Sequence, residues 1–258
     1  MEPPMSGLKN KIVVLTGASR GIGAAAAREM APDGPHFILC ARTPEACADT
    51  KSAVEELGAT AECHGFDVSD AAAAKAFVDG VVAAHGRIDV LINNAGMNVV
   101  GPVDEVTPDR FQAVLMGNVT GPYNLISAVL PSMLEHDSGS IINITSARAF
   151  MPDRFYAAYC ASKAALLSMT QCLHFDLAET GVKIFALSPG FTQTDMVAEI
   201  YASPAFRAQA LSPNQGQKPE RPAKMLAWLA REAPADLAGK HCEIQFNDLT
   251  LRAGLEDF

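Results

Sequence analysis

No two of the six cysteines (Cys40, Cys47, Cys63, Cys160, Cys172 and Cys242) form a C-x-x-C pair. Without such pairs neither a cysteine zinc site nor a disulfide framework is expected. The thiols read as reduced, mostly small apolar residues of a cytoplasmic protein, and no residue is assigned to a metal. Basic charge is in deficit as well: the net charge is −9. This argues against a nucleic-acid partner, because binding a phosphate backbone needs a concentrated basic face. No uninterrupted apolar run approaches the ~20 residues of a membrane span, so no membrane partner is expected. Residues Met1–Gly7 lack the charged and apolar regions of a signal peptide and read as a loose tail. Linkers, internal repeats and low-complexity tracts are missing too, so one domain is expected over residues 1–258.

What the chain does have is apolar content for a full core, 49% of its 258 residues. Short apolar runs recur at 11–17, 36–42, 90–96, 140–146 and 183–190, with weaker ones at 61–68 and 241–246. They are continuous rather than alternating, as in strands covered on both faces. Ala-rich, helix-compatible stretches lie between them at 22–31, 44–57, 70–85, 107–134, 157–179 and 221–231. Seven strands alternating with six helices predict an α/β fold, a doubly wound parallel sheet of Rossmann type. Asp195–Gln217 breaks the pattern: polar, Pro- and Gln-containing and weakly periodic, it reads as a substrate lid.

In a doubly wound sheet, ligands sit beyond the carboxyl ends of the strands. The stretch "TGASRGIG" (16–23) follows the first strand and reads in two ways. As Gly17, Gly21 and Gly23 it is a turn that brings backbone against a pyrophosphate at the start of a helix near Ile22. As Gly17-Ala18-Ser19-Arg20-Gly21 it spells the nucleophile elbow of a serine hydrolase, with Asp236 and His241 in the right order to follow. The elbow needs an oxyanion donor from an earlier strand, and none precedes this one. The cradle reading fits the position. The acid that a NAD site carries about 20 residues on is missing, and the second strand ends in Cys40-Ala41-Arg42. Arg20 and Arg42 both suit the dianionic 2′-phosphate of NADP(H), because guanidinium forks bind such groups well.

Tyr159 has Lys163 four residues on, in "YCASK", the only Tyr-Lys pair at that spacing. On a helix the two share a face. An ammonium near the phenol favours the phenolate and brings the tyrosine towards working pH as an acid–base group. Ser146 ends the strand "SIINITS", and its hydroxyl could polarise a substrate carbonyl. Tyr156 has Cys160 at that spacing and is set aside.

These stretches, with "DV" (67–68), "NNAG" (93–96), "GNVTG" (117–121) and "SPGFTQTDM" (188–196), are together similar to the short-chain dehydrogenases/reductases along nearly the whole chain. The resemblance implies an oxidoreductase moving hydride between nicotinamide and a carbonyl or secondary alcohol. It implies a catalytic tetrad of Asn118, Ser146, Tyr159 and Lys163. Tyr159 would be the acid–base group, Ser146 the carbonyl orienter, and Lys163 the ribose contact that also lowers the tyrosine pKa. Asn118 would hold a water linking Lys163 to solvent. Cofactor contacts are implied at Gly17, Ser19, Arg20, Gly21, Ile22, Gly23, Arg42, Asp67, Val68, Asn93, Asn94, Ala95, Gly96, Tyr159, Lys163, Pro189, Gly190, Thr192 and Thr194. A small-molecule substrate and a homo-oligomer, dimer or tetramer, are implied as well. Two departures stand out: Gly117-Asn118 where many relatives have Val-Asn, and "QFNDLTLRAG" where Asp-Gly-Gly often follows the last strand. Wall candidates for the substrate are Met97–Val100, Arg148, Phe150–Phe155 and Phe191.

Overall fold

A computed structural model describes residues 7–202, 216–245 and 247–255. Its strands are β1 Ile12–Thr16, β2 His36–Ala41, β3 Thr60–Gly65, β4 Val90–Asn93, β5 Gly139–Ile144, β6 Val182–Ser188 and β7 His241–Glu243. They form one seven-stranded sheet, paired in parallel throughout, in the order β3-β2-β1-β4-β5-β6-β7. The helices are α1 Gly21–Met30, α2 Ala48–Glu56, α3 Ala71–His85, α4 Pro108–Leu115, α5 Gly121–Glu135, α6 Ala157–Asp176, α7 Asp195–Ala202, α8 Glu220–Glu232 and α9 Asn247–Arg252. The doubly wound sheet expected from the apolar runs is the fold.

Strand residues alternate between two cores. Val13 and Leu15 of β1, Phe37 and Leu39 of β2, and Phe185 and Leu187 of β6 face α1 and α8. Val14, Ile38 and Ile184 face the other way, onto α3 and α5. Both faces of each strand are therefore apolar, which is why the runs are continuous in sequence. Ala24–Ala27 are all buried, and Ala25–Ala27 line the first core with Ala223, Ala227 and Ala230 of α8. Their short side chains let two helices lie close over the sheet.

Several boundaries differ from the sequence expectation. Gly7 is not part of a loose tail: a Cβ there would lie 2.6 Å from the Arg231 carbonyl oxygen, and Leu8 beside it is fully buried. The last strand ends at Glu243 rather than 246. Of the expected lid, 203–215 lie outside the described residues; the rest gives α7 and a bridge from Thr192 to Gln217. The helix expected over 107–134 is continuous but changes pitch, passing from α4 through a π-helical turn, Met116–Thr120, into α5. At 28 residues, Pro108–Glu135 is long and apolar enough on average to cross a membrane, although Asp109, Arg110, Gln112, Asn118 and Asn124 interrupt it. Here its Leu125, Ile126, Val129 and Met133 are buried in the second core.

The strand order reverses between β1 and β4. Ligand crevices of open α/β sheets lie at such a point, beyond the carboxyl ends of the strands.

Candidate active site

The turn after β1 is shaped by what cannot fit there. Gly17 has φ +64°, and a Cβ on it would lie 2.9 Å from Ala95 Cα. A Cβ on Gly23 would lie 2.3 Å from the Gly17 carbonyl oxygen. Larger residues would push the turn away from β4 and α1. Arg20 is the N-cap of α1, makes no side-chain cap, and no acid stands in the first turn. A helix start with its amide groups left to a ligand and no opposing carboxylate fits a pyrophosphate. Ser19, Gly21 and Ile22, also expected to touch the cofactor, lie in the same turn and the start of α1.

Thr16, which the sequence reading passed over, ties the turn to the end of β4. Its hydroxyl accepts from Asn94 N (3.1 Å) and Ala95 N (3.0 Å) and donates to the Ile92 carbonyl (3.2 Å). The Asn94 amide donates to the carbonyls of Thr16 and Gly17, both at 3.0 Å. Asn93 behaves differently. Its amide is buried and donates to Asn143 Oδ1 at 2.9 Å, and Asn143 donates in turn to Thr170 on α6. Asn93 thus braces β4, β5 and α6 from within. Alternation along the strand explains the split: Asn93 is still a strand residue, and Asn94 is past its end.

Arg42 is exposed just beyond β2. Asp67 accepts from Ser69 N and Oγ at 2.8 and 2.7 Å. Those bonds, with the nearby Arg42 charge, hold its carboxyl below the usual range. Val68 packs on Gly121, where a Cβ would lie 2.6 Å from Val68 Cγ2. Arg20 reaches across to Asp195 at the start of α7, with Nη1 to Oδ2 at 2.9 Å.

The tetrad residues converge. Tyr159 and Lys163 are one turn apart on α6, with Lys163 Nζ 5.5 Å from the Tyr159 ring centroid. The Ser146 hydroxyl lies near the Tyr159 phenol, favouring its ionised form, and accepts from Arg148 N at 3.2 Å. Lys163 is buried, and its Nζ donates to the Ile144 carbonyl at 2.7 Å. Gly96 lies alongside: a Cβ there would be 3.1 Å from Asn118 Oδ1 and 3.9 Å from Lys163 Nζ. Asn118 sits in the π-helical turn with its side chain fully engaged. It accepts from Met97 N (2.8 Å) and donates to Met97 O (2.9 Å) and Ser162 Oγ (3.0 Å). Ser162, also missed from sequence, donates to the Tyr159 carbonyl at 2.8 Å. Its clue was its place inside "YCASK". The Asn118 side chain therefore positions the β4 loop against α6.

Burial sets the protonation of the pair. It pushes the Tyr159 phenol up to about 12, against the lowering effect of Ser146, and pulls Lys163 down to about 8. This differs from the expectation that Lys163 lowers the tyrosine. The lysine points at a backbone carbonyl, and desolvation of the phenol outweighs it.

Beyond β6, Thr192 is buried and donates to the carbonyls of Pro189 and Gly190. Gln217 Nε2 also donates to the Pro189 carbonyl. Thr194 lies against the cradle, its Cγ2 3.3 Å from where a Cβ on Gly21 would be. The wall candidates Met97, Phe150, Met151 and Phe191 expose apolar surface beyond β4, β5 and β6. Arg148 is bound to Asp153 (2.7 Å) and lies over the Tyr156 ring.

The serine-hydrolase alternative fails on its partners. Asp236 is held by both terminal nitrogens of Arg252 (2.7 and 2.9 Å), and the His241 ring packs edge-on to Phe150. Neither is arranged as a triad member with Ser19.

Comparison with known proteins agrees with this geometry. The family model for short chain dehydrogenases matches residues 11–205. The chain belongs to the short-chain dehydrogenase family. It is 34% identical over 237 residues to 3β-hydroxysteroid dehydrogenase 1 of Eggerthella lenta, covering 90% of this chain and 91% of that one. Among solved structures, a metagenomic short-chain oxidoreductase in complex with NADP is 34% identical. It covers 92% of this chain and 97% of its own, at a TM-score of 0.75. A NAD+-bound xylitol dehydrogenase is 27% identical with a TM-score of 0.83, covering 92% and 98%. Solved proteins of this shape thus include both NADP and NAD+ complexes.

Proposed function

We propose that this short-chain dehydrogenase is an NADP(H)-dependent oxidoreductase that interconverts a bulky, apolar ketone and its secondary alcohol. The observation that carries the reading is the buried Tyr159 phenol beside Ser146, with the Lys163 ammonium on the same helix face. The nicotinamide cofactor, when bound, supplies or takes the hydride. The chain's own residues manage the proton and the carbonyl oxygen. Ser146 Oγ holds that oxygen, and Tyr159 Oη gives it a proton in reduction or takes one in oxidation. A phenol held near 12 is fully protonated at neutral pH, the form that reduction needs. Lys163 keeps a positive charge beside the phenolate left behind.

NADP(H) is supported by Arg42 at the β2 tip, where a carboxylate would otherwise meet the ribose hydroxyls of NAD. An apolar substrate is supported by the exposed Met97, Phe150, Met151 and Phe191 and by the likeness to a hydroxysteroid dehydrogenase. The test is a panel of bulky and small ketones with NADPH and with NADH, followed by loss of reduced-nicotinamide absorbance. Turnover should favour NADPH and bulky apolar ketones. Binding of NADPH with no turnover of any carbonyl would instead indicate a nucleotide-binding scaffold on the same fold.

A further inference from the structure

Three histidines and a glutamate, from three separate segments of the chain, meet at the β3 edge of the sheet. Glu62 and His64 are two residues apart on β3, so they share a face. Ala61 and Cys63 belong to the α1/α8 core, which turns Glu62 and His64 towards α3. His36 opens β2, in register with Thr60, and His85 ends α3. His36 Nε2 lies 3.3 Å from Glu62 Oε1, and His85 Nε2 lies 3.4 Å from the same oxygen. His64 Nε2 is 3.3 Å from the other oxygen, Oε2. Among the described residues, this is the one group of three whose ligand atoms all lie within 4.8 Å of one another.

We propose that His36, Glu62 and His85 form a binding site for a first-row divalent transition ion, zinc foremost, distinct from the dehydrogenase crevice. The spacing supports it. Ligands about 2.1 Å from a tetrahedral zinc stand about 3.4 Å from one another, which is the separation found on both sides of Glu62 Oε1. Imidazole with carboxylate is a donor set that zinc accepts. Orientation supports it too. His36 Nδ1 is 2.7 Å from Thr60 Oγ1. With that nitrogen donating, Nε2 presents its lone pair, and Nε2 is buried with no hydrogen-bond partner although Glu62 Oε1 is near. Such outer hydrogen bonds fix the tautomer of metal-bound histidine. His64 fills the same outer role for Glu62 by holding Oε2. With His36 and His85 side chains 22% and 19% exposed, solvent can supply the fourth ligand.

The cluster lies on the helix-covered face near the start of β2 and the end of α3, whereas the crevice lies beyond the carboxyl ends of the strands. The ion would clamp β2, β3 and α3 together rather than take part in hydride transfer, so the site does not depend on the proposed reaction.

The test uses tag-free, chelator-treated full-length protein titrated with Co2+ and then with Zn2+. One Co2+ per chain should give the visible absorption of a tetrahedral imidazole–carboxylate site, displaced by equimolar Zn2+. Glu62→Gln and His85→Ala should each weaken binding at least tenfold. His64→Ala should weaken it about tenfold while keeping the stoichiometry. Saturating Zn2+ should raise the wild-type Tm by roughly 5 °C and leave that of Glu62→Gln unmoved. His136→Ala and His174→Ala, at histidines elsewhere, should bind as wild type does. The proposal is overturned by the absence of stoichiometric Co2+ binding, or by binding unchanged in both Glu62→Gln and His85→Ala. A thiolate-to-cobalt charge-transfer band, placing the ion on cysteine, overturns it equally.

Discussion

Arg20 Nη1 lies 2.9 Å from Asp195 Oδ2, so the glycine cradle after β1 is tied to the first residue of α7. Both side chains are more than half exposed, and an exposed ion pair of this kind contributes about 0.2–1 kcal/mol. A charged hydrogen bond to phosphate contributes about 1.5–3 kcal/mol, enough to draw Arg20 away from Asp195. Asp195→Asn should therefore lower the KM for NADPH about two- to fivefold and leave that for NADH nearly unchanged, measured by initial rates. Equal shifts for both cofactors would place Arg20 on the pyrophosphate instead of the 2′-phosphate.

Arg42 carries the cofactor preference in this reading. It is exposed at the tip of β2, and its charge is felt at Asp67. Arg42→Asp removes a charged donor and adds a repelling carboxylate. The NADPH-to-NADH ratio of kcat/KM should fall about 10- to 150-fold, the equivalent of one such bond. A wild-type protein that already prefers NADH sinks this assignment.

Two tyrosines stand close together and should behave in opposite ways. Tyr156 and Tyr159 have ring centroids 6.3 Å apart, but it is Tyr159 that stands near Ser146 and has Lys163 beside its ring. Tyr159→Phe should cut turnover by about 10²–10⁴ while cofactor fluorescence shows NADPH still bound. Tyr156→Phe should stay within a fewfold of wild type, since it loses only a hydroxyl beside the Arg148 stack. Similar losses in both variants would mean the acid–base group has been misplaced.

The parallel sheet and the pairing of Tyr159 with Lys163 could be read in sequence because each rests on local signals. Val13–Leu15, Phe37–Leu39 and Ile184–Leu187 are apolar on both faces, and continuity in one stretch is enough to place them in the middle of the sheet. Tyr159 and Lys163 are joined by one helical turn. Relations between distant segments could not be read this way. Asn93 and Asn94 are neighbours of one type, yet the strand ends between them, so one braces the core and the other holds the cradle. Burial of Tyr159 depends on what covers it, which is why its phenol rises rather than falls. His36, Glu62 and His85 carry no spacing at all until β2, β3 and α3 pack together.

Lys163 shows that the site is costly to the fold. Burial pulls it from 10.5 to about 8. At pH 7 it is charged in the folded and unfolded chain alike, so the folded protein bears the full penalty, about 3 kcal/mol at 1.36 kcal/mol per unit. Lys163→Met removes that charge and also the hydrogen bond to the Ile144 carbonyl, a loss of about 1–3 kcal/mol. The variant should be inactive yet more stable than wild type at pH 7, by about 1 kcal/mol in denaturant unfolding. Between the folded value near 8 and the unfolded 10.5, the unfolded wild type binds more protons than the folded one. Wild-type stability therefore gains a rising contribution with pH across this window, and the variant has none. Its advantage should shrink from pH 8 upwards, vanish near pH 9 and reverse by pH 10, where the lost hydrogen bond to Ile144 outweighs what remains of the penalty. A Lys163→Met protein less stable than wild type at pH 7, or one whose advantage does not change with pH, would show that Lys163 is not buried as a strained cation.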